Sequence, residues 1–262
     1  MASSRAYALP RERNLILVSL LVLAVAAWAL LVWQAGNASA MGLGPTMGLG
    51  APLFLAIWVV MMVAMMFPTT APMILTFARV QAGKRQRGEV FVPTWIFVTG
   101  YLVVWTAFGA LAFVVAVGAG QLGDRVPWVM DNAARIGGAV LILAGLYQFS
   151  PLKRVCLTKC RSPLSFILGS WRDGRGGAFR MGLEHGMYCL GCCWFLFVIL
   201  FPLGVMNVAA MAVITLLIFA EKSLPVGRRV THAAAGALMV YGALVVFLPQ
   251  LLPTTGTMAG GM

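Results

Sequence analysis

Charged side chains and histidines are scarce in this sequence. Only 10% of its 262 residues are charged and 61% are hydrophobic, whereas a soluble domain has about 25% charged and about 45–50% apolar residues. It has 7 acidic residues and 2 histidines, with no glycine-rich phosphate loop after a strand and no Ser-His-Asp arrangement. Two histidines without paired carboxylates in an apolar segment give no support to a haem or di-iron site. The composition instead predicts an integral membrane protein.

Apolar runs predict the architecture. Crossing the hydrocarbon core of a membrane takes about 20 helical residues, and seven runs approach or exceed that length. They are residues 15–33, 52–77, 93–117, 134–149, 181–201, 205–220 and 231–252. The fourth and sixth runs are short, and Pro68, Pro72 and Pro202 are expected to kink or end their helices. We therefore expect an all-α fold, a single polytopic membrane domain over residues 1–262 with about seven transmembrane helices.

The basic residues are distributed unequally between the two sides of this bundle. With the N-terminus inside, 17 of the 19 lie in inner segments, and only Arg125 and Arg135 lie outside. Because Lys and Arg in short loops mark the cytoplasmic side, the pattern predicts an N-in/C-out topology. The net charge of +12 is explained by an inner surface that faces the anionic lipid bilayer, so no nucleic-acid partner is expected.

Two further segments need an interpretation. The first run is followed by the small residues Ala38 to Ala40, as in a signal peptide, but it is longer than the usual apolar core of about 7–15 residues. We favour an uncleaved first helix.

Residues 150–180 form a cytoplasmic loop whose stretch PLSFILGSW predicts a helix in the membrane interface. Gly138 and Gly145 predict close approach of a neighbouring backbone to the fourth helix.

A histidine and three cysteines lie within the ten residues HGMYCLGCCW. On a helix, His185, Cys189, Cys192 and Cys193 share a stripe about 100° wide. Cys189 is one turn from Cys192 and from Cys193, so either pair can bind one ion between two sulfurs. His185 and Cys193 are separated by a rise of about 12 Å, so a fuller set of ligands requires other helices.

The second helix offers thioethers. WVVMMVAMMFP places Met62 one turn from Met66, and counting from the inner basic residues puts Met66, Cys193 and Met211 at similar depths of about 16–20 Å. Thiolates and thioethers select Cu(I), whereas a zinc site would be expected to contain more histidine and carboxylate. The sequence predicts a soft-metal site that binds Cu(I) in preference to Zn. Its candidate ligands are Cys189, Cys192, Cys193, His185, Met62, Met66 and Met211.

Each of these sulfurs also has a packing alternative, since methionine and cysteine commonly fill apolar cores. Three cysteines on one stripe favour ligand or redox use over packing alone. Cys156 and Cys160, in CLTKC, have the spacing of a second metal pair within the cytoplasmic loop if that segment is helical. For Glu184 and Glu221, ion pairs with neighbouring basic residues at the inner interface are the default expectation.

Four segments resemble a known family. WVVMMVAMMFPTTAPMI, GLYQFSPLKRVCLTKCRSPLSF, HGMYCLGCCW and MNVAAMAVITLLIFAEK occur in the same order in a bacterial family of unknown function, described as predicted metal-binding integral membrane proteins. The likeness covers about residues 52–225. It implies a metal-binding protein of the bacterial inner membrane and no established reaction. The positions that match the Cys and His pattern of the family are Cys156, Cys160, His185, Cys189, Cys192 and Cys193.

Three functional hypotheses remain open, and the first is favoured. It is copper transport or delivery to a metal-accepting membrane enzyme or chaperone, with no catalysis: Cu(I) would pass from outer methionines to the Cys189 stripe and then to Cys156 and Cys160. The outer methionines are Met41, Met47, Met258 and Met262. The second is thiol–disulfide or electron transfer, which a helical i, i+3 pair supports only with distortion. The third is an accessory subunit in which the sulfurs merely pack.

Overall fold

The computed structural model of the protein describes residues 3–37, 46 and 48–253, with side chains from residue 11 onward. The proposed cleavage site at Ala38 to Ala40 lies outside the described residues. So do the four outer methionines, Met41, Met47, Met258 and Met262. Every regular element among the described residues is helical, which confirms the prediction of an all-α fold.

Eleven α-helices and one short 3-10 helix make up the described part of the chain. They are α1 (Ser3–Gly36), α2 (Ala51–Gln86), α3 (Thr94–Arg125), α4 (Pro127–Asp131), α5 (Ala133–Tyr147), α6 (Pro151–Arg161), α7 (Pro163–Ser170), α8 (Gly174–Val198), α9 (Leu200–Leu203), α10 (Val208–Ser223), α11 (Gly227–Phe247) and the 3-10 helix Pro249–Leu251.

The count of seven spans is wrong. Within the described residues, five segments are long and apolar enough to cross a membrane: Arg11–Gly36, Ala51–Gln86, Thr94–Arg125, Gly174–Leu203 and Gly227–Phe247. The fourth and sixth runs form α5 and α10, which have only 15 and 16 residues, fewer than the roughly 20 that a span needs. The α5–α6 pair, bent by 63°, is a sixth span if it is counted as one broken helix. The N-in/C-out topology stays a prediction.

Helix α2 lies at the centre of the bundle, between α1, α3, α7 and α10. It continues through Pro68 and Pro72 and ends at neither. Pro68 has no N–H to donate to the carbonyl of Ala64 four residues earlier. The indole of Trp28, on α1, donates to that carbonyl instead, at 3.0 Å. A side chain from the neighbouring helix thus satisfies the backbone group that the proline leaves free.

Glycines allow α3 and α8 to pack in backbone contact. A Cβ on Gly182 of α8 would overlap the carbonyl oxygen of Phe97, and a Cβ on Gly100 of α3 would overlap that of Phe179. One turn further along α8, a Cβ on Gly186 would also be too close to α3. The two helices therefore approach closely enough for side chains of α3 to reach the cysteine stripe of α8.

A second close contact joins α5 and α11. A Cβ on Gly138 would lie 2.8 Å from the carbonyl oxygen of Gly242, and one on Gly145 would lie 2.9 Å from that of Ala235. Both distances are shorter than real Cβ contacts. The prediction that Gly138 and Gly145 admit a neighbouring backbone is confirmed.

The stretch predicted as an interfacial helix forms α7. Phe166 and Ile167 are buried in the protein, whereas Leu164 and Leu168 are exposed, and α7 packs against α2 and α6. The helix itself is confirmed. Its buried side contacts protein, which leaves the opposite apolar side as the surface available to a membrane interface.

We expect Gly182→Ala to destabilise the protein strongly, because the added methyl group forces α3 and α8 apart. Overpacking of a tight contact costs about 1–3 kcal/mol, and here the overlapping atom belongs to the backbone. Gly118→Ala in α3 is the matched control, since a Cβ there has no neighbour within 4 Å and alanine is the better helix former by about 1 kcal/mol. Thermal unfolding in detergent measures both. Equal melting temperatures for the two variants would contradict the close packing.

Candidate functional site

Cys189 is the buried centre of a cluster, and its sulfur contacts side chains from three other helices. Its Sγ lies 3.1 Å from Nζ of Lys222 on α10 and 3.2 Å from the hydroxyl of Tyr101 on α3. It also lies 4.0 Å from Sδ of Met66 on α2. The thiol of α8 therefore meets an ammonium, a phenol and a thioether, each from a different helix.

The other two cysteines of α8 bond back to the same turn. The thiols of Cys192 and Cys193 donate to the carbonyl oxygen of Cys189, at 3.1 and 2.8 Å. Cys192 also lies 4.0 Å, sulfur to sulfur, from Cys160 on α6. Cys192 thus faces a thiol of another helix, in addition to its neighbours on α8.

Helix α6 brings the remaining two cysteines to this cluster. Cys160 is buried on the face of α6 that meets Cys192. Cys156 packs over Gly191 of α8, where a Cβ would lie 2.6 Å from its sulfur. The separate cytoplasmic site expected for Cys156 and Cys160 is therefore not observed. All five cysteines are buried and free, and they form one cluster.

The ammonium of Lys222 is buried beside the cluster. Besides Cys189, its Nζ has Thr69 Oγ1 as a partner, at 3.5 Å. Glu221 is ion-paired, as expected, but its partner is Lys153 of α6, at 2.8 Å, and not the adjacent Lys222, because consecutive helical residues point about 100° apart. Among the described residues, Lys222 takes part in no ion pair with a carboxylate. Since a buried charge is costly without a partner, the sulfur of Cys189 is the group placed to balance it.

Ion pairs nearer the surface follow the expectation from sequence. Glu184 contacts Arg180 at 3.4 Å and Arg172 at 3.5 Å. Asp173, which precedes α8, pairs with Lys84 of α2, and this ammonium holds the pKa of the Asp173 carboxyl below its usual range. These exposed pairs add little stability, but the Lys84–Asp173 pair connects the C-terminal end of α2 to the N-terminal end of α8.

His185 lies one turn before Cys189 on α8, inside an aromatic cage. The ring centroids of Phe97, Tyr101 and Phe166 are 5.9, 5.6 and 5.4 Å from that of the imidazole. Neither ring nitrogen has a hydrogen-bond partner among the described residues. A buried polar group without a partner is rare in a folded protein, so either nitrogen of the neutral imidazole is available as a ligand atom.

The methionines predicted as ligands are all buried, but they differ in their contacts. Met62, Met66 and Met211 are fully buried in the same core. Among the three, and within the described part of the chain, only Met66 has its thioether within hydrogen-bonding distance of a cysteine thiol. Met62 and Met211 are therefore placed in the wall of the cluster, with packing as their observed role.

The sulfurs are arranged as pairs. The described residues contain no group of three or more His, Cys, Asp or Glu side chains placed to hold an ion. Two pairs of sulfurs, Cys160 with Cys192 and Cys189 with Met66, are each 4.0 Å apart. Two sulfurs that bind one ion at about 2.3 Å each are at most about 4.6 Å apart, so each pair has the right spacing. Structural zinc takes four ligands, whereas Cu(I) accepts two soft ones.

We expect the buried Lys153–Glu221 pair to hold α6 in place. Glu221→Gln leaves the Lys153 ammonium without a counter-charge, and breaking a buried pair in this way costs about 3–5 kcal/mol. The double variant Lys153→Met/Glu221→Leu removes both charges and should recover most of that loss. Arg180→Gln, at an exposed pair, is the control and should change stability by less than about 1 kcal/mol. Thermal unfolding in detergent tests this; a double variant no more stable than Glu221→Gln would contradict it.

Comparison with known proteins relates this chain to a copper-handling family. The sequence profile of the PpoB2 family, described as a copper chaperone, matches residues 55–245, a range that includes all five cysteines and both histidines. None of the curated proteins and none of the solved structures is similar enough to match. The match agrees with the metal-related bacterial family expected from the sequence, and it extends beyond residue 225 into α11. Because it covers well over half of the chain, the protein belongs to the PpoB2 copper chaperone family.

Proposed function

We propose that this protein is a membrane-embedded chaperone that binds Cu(I) at the sulfur cluster and delivers it to a membrane enzyme or to another copper protein. The observation that carries the proposal is the cluster of five buried, free cysteines from α6 and α8, in which Cys160 faces Cys192 and Cys189 contacts the thioether of Met66. Thiolates and thioethers are the ligands that select Cu(I). The description of the family as a copper chaperone favours delivery over transport.

A location in the bacterial inner membrane is part of this proposal. Five segments are long and apolar enough to span a bilayer, and large apolar side chains are exposed along several of them. Examples are Val25, Leu53, Val114 and Phe247. An apolar surface of this extent is unfavourable in water but matches the hydrocarbon core of a bilayer.

The ligands have distinct proposed roles. Cys160 and Cys192 hold the ion between α6 and α8, and Cys189 with Met66 forms the neighbouring pair to which it can pass. His185, one turn away, supplies a nitrogen ligand on the inner side of Cys189. Cys156, Cys193, Met62 and Met211 line the cluster as additional sulfur donors. The sequence led us to expect that Cu(I) passes from cysteines in the middle of the membrane to a separate cytoplasmic pair. Because all five thiols belong to one cluster, we propose instead that the ion is exchanged between thiols of that cluster.

A second candidate function is thiol–disulfide exchange. Cys160 and Cys192 are on different helices with their sulfurs 4.0 Å apart, so the distortion required of a pair on one helix does not apply. Exchange with a partner disulfide would form the Cys160–Cys192 bond and reduce the partner to two thiols. Burial of both thiols limits access of such a partner, which leaves copper binding as the better supported function.

Replacing one thiol of the Cys160–Cys192 pair should lower Cu(I) affinity by at least tenfold, which corresponds to about 1.4 kcal/mol. Met66→Leu should cost less, because a thioether is a neutral and weaker ligand than a thiolate. Met187→Leu is the matched control, since Met187 is exposed on the surface of α8. Anaerobic competition with a chromogenic Cu(I) chelator measures the affinities.

The same preparation separates the two candidate functions. Thiol trapping before and after copper loading counts free cysteines and detects a disulfide. Copper retention in both Cys160→Ser and Cys192→Ser would refute the assigned pair. A reversible Cys160–Cys192 disulfide in a protein that binds no copper would establish the exchange function instead.

The predicted N-in/C-out topology has its own test. A phosphatase that is active only after export, fused to the C-terminus, should be active, because the distribution of basic residues predicts a cytoplasmic N-terminus and an exported C-terminus. A fluorescent reporter that matures only in the cytoplasm is the complementary fusion. Fluorescence without phosphatase activity would refute the topology.

A further inference from the structure

The charges around the cluster do not cancel. Glu221 and Lys153 neutralise each other in a buried pair, and the guanidinium of Arg161 donates to the carbonyl oxygen of Leu224 at 2.8 Å. Lys222 remains, a buried ammonium whose described partners are the sulfur of Cys189 and the hydroxyl oxygen of Thr69. The described residues therefore place one ammonium, with no carboxylate partner, against the sulfur ligands.

The position of Lys222 is fixed by groups that belong to the site. Its ammonium connects α10 to Cys189 of α8 and to Thr69 of α2. The Thr69 hydroxyl in turn donates to the carbonyl oxygen of Met66, at 3.0 Å, three residues earlier on the same helix. The charge is thereby held next to one thiol ligand and one thioether ligand, where it acts on whatever ion they bind.

We propose that Lys222 is a specificity-determining residue that makes the cluster selective for monovalent soft ions. This inference rests on the proposed copper function. When Cys189 is one of two thiolate ligands, with Cys192 or Cys193 one turn away as the other, a bound Cu⁺ ion gives the two thiolates and the ion a net charge of −1, and the ammonium beside Cys189 brings the total to zero. A Zn²⁺ or Cd²⁺ ion between the same thiolates is already neutral, so the ammonium leaves an excess charge of +1. An uncompensated charge is strongly disfavoured in a buried apolar site, so the fixed ammonium favours the monovalent ion.

A third thiolate ligand would neutralise the excess charge of a site that holds a divalent ion, but the geometry does not favour a third ligand. The described residues include no group of three or more His, Cys, Asp or Glu side chains placed around one point. The thiols of Cys192 and Cys193 are instead directed to the carbonyl oxygen of Cys189. The spacing in pairs and the single ammonium therefore lead to the same preference, one by ligand number and the other by charge.

Ag(I) and Cd(II) test the inference because both are soft, while their charges differ. Wild-type protein should bind Ag(I) and Cu(I) much more tightly than Cd(II) or Zn(II) in competition with chelators of known affinity. Lys222→Met removes the charge from a side chain of similar length. It should weaken Ag(I) and Cu(I) binding at least tenfold while Cd(II) binding is unchanged or stronger. Lys222→Arg keeps the charge and should retain the selectivity of the wild type.

Lys159→Met is the matched control, because Lys159 is exposed on α6 beside Cys160 in the sequence. It should leave all four affinities unchanged. Lys222→Gln, which retains a hydrogen-bond donor without the charge, replaces the methionine variant if that variant does not fold. Size-exclusion profiles and melting temperatures establish folding for each variant.

The outcomes separate this inference from the proposed function. Wild-type protein that binds neither Cu(I) nor Ag(I) refutes the copper function itself. Wild-type protein that binds Ag(I) but binds Cd(II) equally tightly overturns the charge selectivity, whatever the variants do. If Lys222→Met weakens Ag(I) and Cd(II) by the same factor, Lys222 supports the structure of the site and does not select the ion.

Discussion

The docking of α6 onto α8 is the constraint on which the site depends. Gly191 has no side chain, which leaves room for the sulfur of Cys156, and the hydroxyl of Tyr147, at the end of α5, donates to the carbonyl oxygen of the same glycine. Ser150 caps the N-terminus of α6 at the bend. These contacts direct α6 back along α8, and without them Cys160 would not reach Cys192.

Docking also explains why charged residues are buried next to the thiols. Lys153 lies on the inward face of α6, so it must find a counter-charge where α6 meets α10, and Glu221 supplies it. The next residue, Lys222, then points toward Cys189. An isolated buried ion pair seldom adds net stability over an apolar pair. We propose that the Lys153–Glu221 pair positions α6 and that Lys222, which is not part of the pair, places its ammonium beside the ligands.

The sequence predicts the helical fold well but the site only in part. Apolar runs are strong signals for α2, α3, α8 and α11, since helix length and hydrophobicity are properties of local sequence. Counting such runs misjudged α5 and α10, because an apolar stretch does not reveal where a helix begins and ends. The closeness of Gly138 and Gly145 to a neighbouring backbone was predictable from their spacing on one face. The choice of α11 as that neighbour was not, since it depends on tertiary packing.

The fold-back of α6 did leave a signal in the sequence. Lys153, Cys156, Leu157 and Cys160, all buried, have the i, i+3, i+4, i+7 spacing of one helical face. The basic residues of this segment obscure that pattern, because they resemble those of an inner loop and one of them is itself buried. Lys222 gave no comparable signal. Its position at the end of an apolar run is typical of an interfacial anchor, and only the packing of α10 against α2 shows that its ammonium faces inward.

Burial of the cluster has a consequence for delivery under the proposed function. An ion held between Cys160 and Cys192 joins α6 to α8, so its binding energy adds to the energy that keeps α6 docked. By the same linkage, anything that draws α6 away from α8 weakens the site and favours release. An acceptor protein therefore need not extract copper from a closed core by affinity alone. Contact with the exposed face of α6, where Leu152 and Val155 lie, would couple recognition of the acceptor to opening of the cluster.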